Sequence, residues 1–195
     1  MGYLRWGILG AGGIARRKVL PALADSMTVK VVAVMDRQLS VAKAIATTFG
    51  IPFVTESVEE LLEHPIDAVY IASPVYLHHE HALAAAAQKI HILIEKPLAL
   101  NSKEGGEIVE SCRSSGAFLQ VGYMMKFHSL HRKVCEILAA GDISRPVFGR
   151  ARLSCWYPPI AGAWRQRQEL GGGEHSWIWQ PIALISSNGC SQVRL

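Results

Sequence analysis

At 195 residues, 50% of them hydrophobic and 18% charged, the chain has the composition of a globular protein with a buried core, which excludes an intrinsically disordered one. Its net charge of +4 comes from Lys and Arg scattered among Asp and Glu without a basic run, so nucleic acid is not an expected partner. Gln88, Lys89, Glu95 and Lys96 interrupt the most apolar region, so no membrane-spanning stretch of about 18 residues is expected.

The first element is a short apolar run, Arg5 to Leu9, that ends in Gly10-Ala11-Gly12-Gly13-Ile14-Ala15 and passes into helical spacing through Lys18, Val19, Leu20 and Leu23. This reads as strand, tight turn and helix. Gly10 permits the turn, Gly12 lets the backbone approach a pyrophosphate, and Ala15 lets helix and strand pack closely. The free N–H groups at the helix start then face the phosphates. A second strand, Val29 to Met35, ends in Asp36, about 20 residues past the turn, where such a fold places the acid that binds an adenosine ribose. Without Asp36, the same glycines would fit a βα turn that binds nothing.

Ser40 to Phe49 has helical spacing, closed by Gly50 and Pro52, and Phe53-Val54 is a brief third strand. Ser57 and Glu60 have the capping-box spacing at the start of a short helix through Leu61 and Leu62. Asp67 to Ala72 is a fourth strand, continuously apolar as in a parallel sheet covered on both faces. Ser73-Pro74 ends it, and an alanine-rich helix runs from His78 to Gln88. His91 to Glu95 is a fifth strand, followed by Lys96-Pro97. Asn101 with Glu104 caps a helix over Ser102 to Ser114, Phe118 to Gly122 is a sixth strand, and Leu130 to Ala140 a helix closed by Gly141. Strict alternation predicts an α/β, Rossmann-type, doubly wound parallel sheet with ligands beyond the carboxyl ends of its strands.

From Pro146 the pattern changes: Val147 to Ser154 alternates like a strand exposed on one face, the expected start of an incomplete α+β second domain. The expected organisation is a dinucleotide-binding domain over 1–123 and a linking helix with the start of a substrate domain over 124–195. Trp156, Tyr157, Trp164, Trp177 and Trp179 are expected to stay unburied there. His78, His79, Glu80 and His81 lie consecutively at a helix start and point in different directions, so no metal is expected. With no basic-then-apolar leader and no CxxC among Cys112, Cys135, Cys155 and Cys190, the expectation is a cytoplasmic protein with reduced thiols.

The glycine turn, Asp36, the stretch Ala72-Ser73-Pro74 through Leu77-His78 and Glu80, and above all Glu95-Lys96-Pro97-Leu98-Ala99 resemble one family. It is the glucose-fructose oxidoreductase, inositol dehydrogenase and MocA family of NAD(P)-dependent oxidoreductases. The likeness extends to Gly122-Tyr123 and to Gly141-Asp142-Ile143, ending near Leu153. The resemblance implies a dehydrogenase acting on a secondary alcohol or ketone of a sugar, polyol or similar small molecule, in a family usually homo-oligomeric. It gives Lys96 the catalytic place at the nicotinamide, in contact with the substrate hydroxyl. It also implies cofactor contacts from Gly10, Gly12, Gly13, Ile14, Asp36, Arg37, Ser73, Pro74, His78, Glu95 and Lys96. Tyr123 and Lys126 are candidates for the substrate side, or for packing and solvation alone. Asp36 favours NAD because its charge repels a 2′-phosphate, whereas Arg37 suits NADP.

The family's second motif is Gly-Gly-Gly followed at fixed spacing by Asp and His. Gly171-Gly172-Gly173 is present, but Trp177 and Pro181 occupy the Asp and His positions. With suitably chosen synonymous codons, 174–190 reads one nucleotide out of register as a helix-like segment that restores the Asp. The expectation is that 174–195 are out of frame, a genuinely divergent terminus being the alternative. The same departures leave open a second function, a non-catalytic dinucleotide-binding protein.

Overall fold

A computed structural model describes residues 2–143, 156, 158–161 and 163–171. Six strands alternate with helices: β1 (Leu4–Leu9), β2 (Val29–Met35), β3 (Phe53–Thr55), β4 (Ala68–Ile71), β5 (His91–Ile94) and β6 (Leu119–Val121). A π-helical turn, Ala15–Val19, leads into α1 (Leu20–Ala24); then come α2 (Leu39–Phe49), α3 (Val58–Glu63), α4 (His78–Ala87), α5 (Ser102–Ser115), α6 (Ser129–Ala140) and a short α7 (Gln168–Gly171). The strands form one parallel sheet in the order β3-β2-β1-β4-β5-β6. The order reverses between β1 and β4, and a crevice opens there at the carboxyl ends.

Alternation along the strands sorts side chains onto two cores. Leu9, Met35, Val69, Ile71, Ile92 and Ile94 face α3, α4 and α5. Ile8, Val34 and Tyr70 face α1 and α2 with Leu20, Ala42 and Ile45. All four residues of β4 are buried, as its continuous apolar run predicts for a central parallel strand. Its start is tied to β1 by Asp67, which accepts two hydrogen bonds from the Arg5 guanidinium, at 2.7 and 3.1 Å, and one from the Arg5 N–H at 2.7 Å. The Arg5 contacts hold the Asp67 carboxyl at about 2, below the usual carboxylate range.

The predicted caps form, one with a modification. Asn101 Oδ1 accepts from the Glu104 N–H at 3.0 Å, and Ser57 Oγ accepts from the Glu60 N–H at 3.1 Å. The Glu60 carboxylate does not return to the Ser57 N–H; it accepts from the Thr55 hydroxyl, which in turn accepts from that N–H.

Two expectations fail. Cys112 is a free, buried thiol, but Cys135 in α6 is disulfide-bonded. Wide spacing along the chain places no limit on approach in space. Trp164 is half-buried, edge-on to Tyr76 with ring centroids 6.4 Å apart, whereas Trp156 is exposed as expected. The predicted strand over 147–154, the start of a second domain, and the expected frame change over 174–195 lie outside the described residues, as do Tyr157, Trp177 and Trp179. Among the described residues no helix is long and apolar enough to cross a membrane.

Candidate functional site

The chain leaves β1 at Leu9 and turns at once. Gly10 has φ +95° and its N–H donates to the Met35 carbonyl at 3.0 Å. A Cβ on Gly10 would stand 2.7 Å from the Ser73 nitrogen, so only glycine fits between the ends of β1 and β4. Gly12 is the reverse case: a Cβ there would meet no protein atom within 4 Å, because the turn faces an open cleft. The Arg16 N–H closes on the Gly12 carbonyl at 3.0 Å, and Arg17 Nε donates to the Gly13 carbonyl at 3.0 Å, folding its guanidinium over the turn.

Asp36 lies just past β2. One carboxylate oxygen accepts from the Ala11 N–H and the other from the Gln38 N–H, both at 3.0 Å. The carboxylate is therefore held beside the glycine turn, with the exposed Arg37 next to it.

Beyond β4, the Ser73 hydroxyl is 3.0 Å from His81 Nδ1, both residues being buried. His78 is 1% exposed, with Nε2 3.0 Å from the Ser73 carbonyl and Nδ1 2.9 Å from the Pro97 carbonyl. It thus sits between the loops after β4 and β5, donating to one of the two carbonyls when neutral and to both when protonated. Burial lowers the His78 pKa more than its three neighbouring carbonyls raise it, and burial likewise lowers that of His81. His79 turns outward to Glu107 at 2.7 Å. With these histidines so engaged, no group of three metal-ligating side chains is found among the described residues.

After β5, Tyr70 donates from its hydroxyl to Glu95 Oε1 at 2.6 Å, and the Lys96 N–H donates to Glu95 Oε2 at 3.3 Å. The Lys96–Pro97 peptide is cis.

Gly10, Gly12, Gly13, Ile14, Asp36, Arg37, Ser73, Pro74, His78, Glu95 and Lys96, drawn from four loops, line one cleft of about 900 Å³. Tyr123 and Lys126 are not among the residues lining it; Tyr123 is half-buried, which pushes its phenol pKa up, and Lys126 is exposed. Sequence reasoning missed Arg17, Gln38, Leu77 and Trp164, which also line the cleft. Arg17 was legible as a cation one turn into the phosphate-facing helix. Trp164 carried no signal, since it arrives from far along the chain.

The cleft has the shape and charge for a dinucleotide. Gly12 faces it without a side chain, two exposed guanidiniums flank it, and a carboxylate held by backbone amides stands beside the glycine turn.

Comparisons with known proteins agree with this geometry. Residues 4–123 match the family model GFO_IDH_MocA, described as an oxidoreductase family with an NAD-binding Rossmann fold. The chain is 37% identical to the 1,5-anhydro-D-fructose reductase of Ensifer adhaerens over 87% of its own length and 51% of that protein. It is 33% identical to the D-xylose 1-dehydrogenase (NADP(+)) 2 of Haloferax volcanii, covering 87% of this chain and 52% of the relative. Among solved structures, a 3-ketoreductase from Actinomadura kijaniata in complex with NADP and TDP-benzene superposes with a TM-score of 0.75 at 30% identity, over 88% of this chain and 53% of that one. The chain spans about half the length of the curated relatives it matches. With all six strands inside the matched residues, this chain belongs to the GFO_IDH_MocA oxidoreductase family.

Proposed function

We propose that the chain carries the cofactor half of an NAD(P)-dependent oxidoreductase that moves a hydride between nicotinamide and a secondary alcohol or ketone of a sugar, polyol or similar small molecule. The observation that carries this reading is that Lys96 lines the same cleft as the glycine turn and Asp36. Residues 1–123 are the dinucleotide-binding unit, and 124–195 begin the unit that brings substrate to it.

The nicotinamide, when bound, supplies the hydride acceptor or donor. The protein's residues do the rest. Backbone N–H groups at Gly12 and Gly13, with Arg17 at the rim, neutralise the pyrophosphate. Asp36 accepts from the adenosine ribose hydroxyls, and its charge opposes a 2′-phosphate, which favours NAD. The Lys96 amine takes the substrate hydroxyl proton during oxidation and returns it during reduction. In between, its positive charge stabilises the developing oxyanion.

The test is calorimetric titration of the purified chain with NAD⁺, NADH, NADP⁺ and NADPH, followed by a sugar and polyol oxidation screen of the wild type and Lys96→Ala. Micromolar binding of one pair, and turnover that Lys96→Ala abolishes with binding intact, is the expected result. A folded chain that binds none of the four would overturn the reading. A second reading, dinucleotide binding without turnover, is favoured by Trp177 and Pro181 at the family's Asp and His positions. Binding with no turnover on any substrate would select it.

A further inference from the structure

Tyr70 is an unusual residue for its place. It sits on the central strand β4, 1% exposed, in a layer whose other fully buried members, Ile8 and Val34 among them, are aliphatic, with Trp6 and Phe49 half-buried against it. An aliphatic residue or Phe would fill that core without bringing a hydroxyl into it, and a buried hydroxyl must find a partner. The partner is Glu95. Tyr70 is registered against Leu93 of β5, and Glu95 lies two residues further along the same face. The phenol reaches forward along the sheet to that carboxylate, a diagonal cross-strand contact within reach of an aromatic side chain. At 2.6 Å, the bond has the length of a charge-assisted hydrogen bond.

Glu95 is held from other sides too. Its second oxygen accepts from the Lys96 N–H at 3.3 Å. A Cβ on Gly122 would lie 3.4 Å from Glu95 Oε1, in van der Waals contact, so the end of β6 runs alongside the carboxylate. Lys96 therefore leaves the sheet from a backbone braced by the residue before it, while His78 braces the carbonyl of the residue after it.

We propose that Tyr70 is a positioning residue for the hydride-transfer site: it fixes the Glu95 carboxylate, which fixes the backbone from which Lys96 reaches the nicotinamide end of the cleft. This rests on the role given to Lys96 above. Tyr70 touches neither cofactor nor substrate in this assignment, and the adenosine half of the cleft, around Asp36, is independent of it.

Tyr70→Phe removes the hydroxyl and keeps the ring in the core; Glu95→Gln keeps the shape and removes the charge. Both are compared with wild type by calorimetric titration with NADH and with ADP-ribose, which lacks the nicotinamide, and by hydrogen exchange at the Lys96 amide without ligand. The expected result is a loss of about five- to tenfold in NADH affinity, the scale of one hydrogen bond. ADP-ribose affinity stays unchanged and exchange at the Lys96 amide becomes faster. Adding Tyr70→Phe to Glu95→Gln causes little further loss, because both act through one contact. An unchanged Lys96 amide, or parallel losses for NADH and ADP-ribose, would overturn the proposal, the second pattern marking a general packing role. If Tyr70→Phe fails to fold, Glu95→Gln alone decides by the same readouts. A wild-type chain that binds neither ligand overturns the cofactor reading instead, and this one with it.

Discussion

The Asp36 carboxylate holds the Ala11 N–H at 3.0 Å, so the acid that ends β2 also fixes the glycine turn after β1. One residue thus joins two parts of the cleft. Asp36→Ala is expected to lower NADH affinity about tenfold, through loss of the ribose acceptor and a looser turn. NADPH affinity should fall less or rise, because a repelling charge is removed while Arg37 stays. Titration of both cofactors against both proteins measures the ratio. A NADPH-to-NADH preference unchanged by the substitution would show that Asp36 does not select the cofactor.

Gly10 is the least replaceable residue of the turn. Its φ of +95° strains any L side chain, and the added Cβ would press on the Ser73 nitrogen and the Ala72 carbonyl carbon, backbone atoms of the neighbouring strand end that have no room to yield. Gly10→Ala is expected to destabilise the protein by about 3 kcal/mol. Gly12→Ala should leave stability nearly unchanged, because its Cβ enters open space, yet lower dinucleotide affinity at least tenfold by occupying the pyrophosphate's approach. Thermal denaturation and titration of the two variants together separate a packing glycine from a binding one. Equal thermal midpoints would contradict the assignment.

These contrasts show what the sequence made legible. The alternation of strands and helices, the glycine turn and Asp36 followed from local signals: apolar runs, glycine at strand ends, and an acid at a set distance; Ser73, Pro74, His78, Glu95 and Lys96 followed from the family resemblance. Contacts between distant residues left no such signal. Tyr70 reads as one more apolar strand residue until the register sets it diagonal to Glu95. His78 reads as a helix-start histidine until two loops close on it. Trp164 reads as an exposed aromatic until the chain returns to Tyr76. Cys135 shows the same limit, since its spacing along the chain gave no sign of a disulfide.

The Arg5–Asp67 pair at the amino-terminal ends of β1 and β4 is far from the cleft and serves stability alone. Asp67 titrates near 2 in the folded protein, against an ordinary 3.8. Its contribution is therefore complete above about pH 3.8 and is lost as pH falls through 2. Both side chains are partly exposed, at 41% and 31%, so solvent screens the pair and the effect is small. Asp67→Asn is expected to lower the thermal midpoint at pH 7 by about 2 °C and to leave cofactor affinity unchanged. Melting curves at pH 7 and titration check both parts.

His78 predicts a loss of stability in the same direction, with falling pH, but in a higher pH range. Burial depresses its pKa below 6.5, so between the folded value and 6.5 the unfolded chain binds more protons than the folded one. Stability is full above about pH 6.5 and declines as pH falls below it; His81, lowered for the same reason, adds in the same direction. The thermal midpoint should be lower at pH 5.5 than at 7.5. His78→Gln should reduce that difference, since glutamine does not titrate. At pH 7.5 it should cost about 2 kcal/mol, because one amide group replaces a ring set between the Ser73 and Pro97 carbonyls. Nicotinamide binding should weaken too, the loop bearing Lys96 having lost the ring set between it and the end of β4. A pH dependence identical in wild type and variant would assign the acid sensitivity to other groups and leave His78 a packing residue.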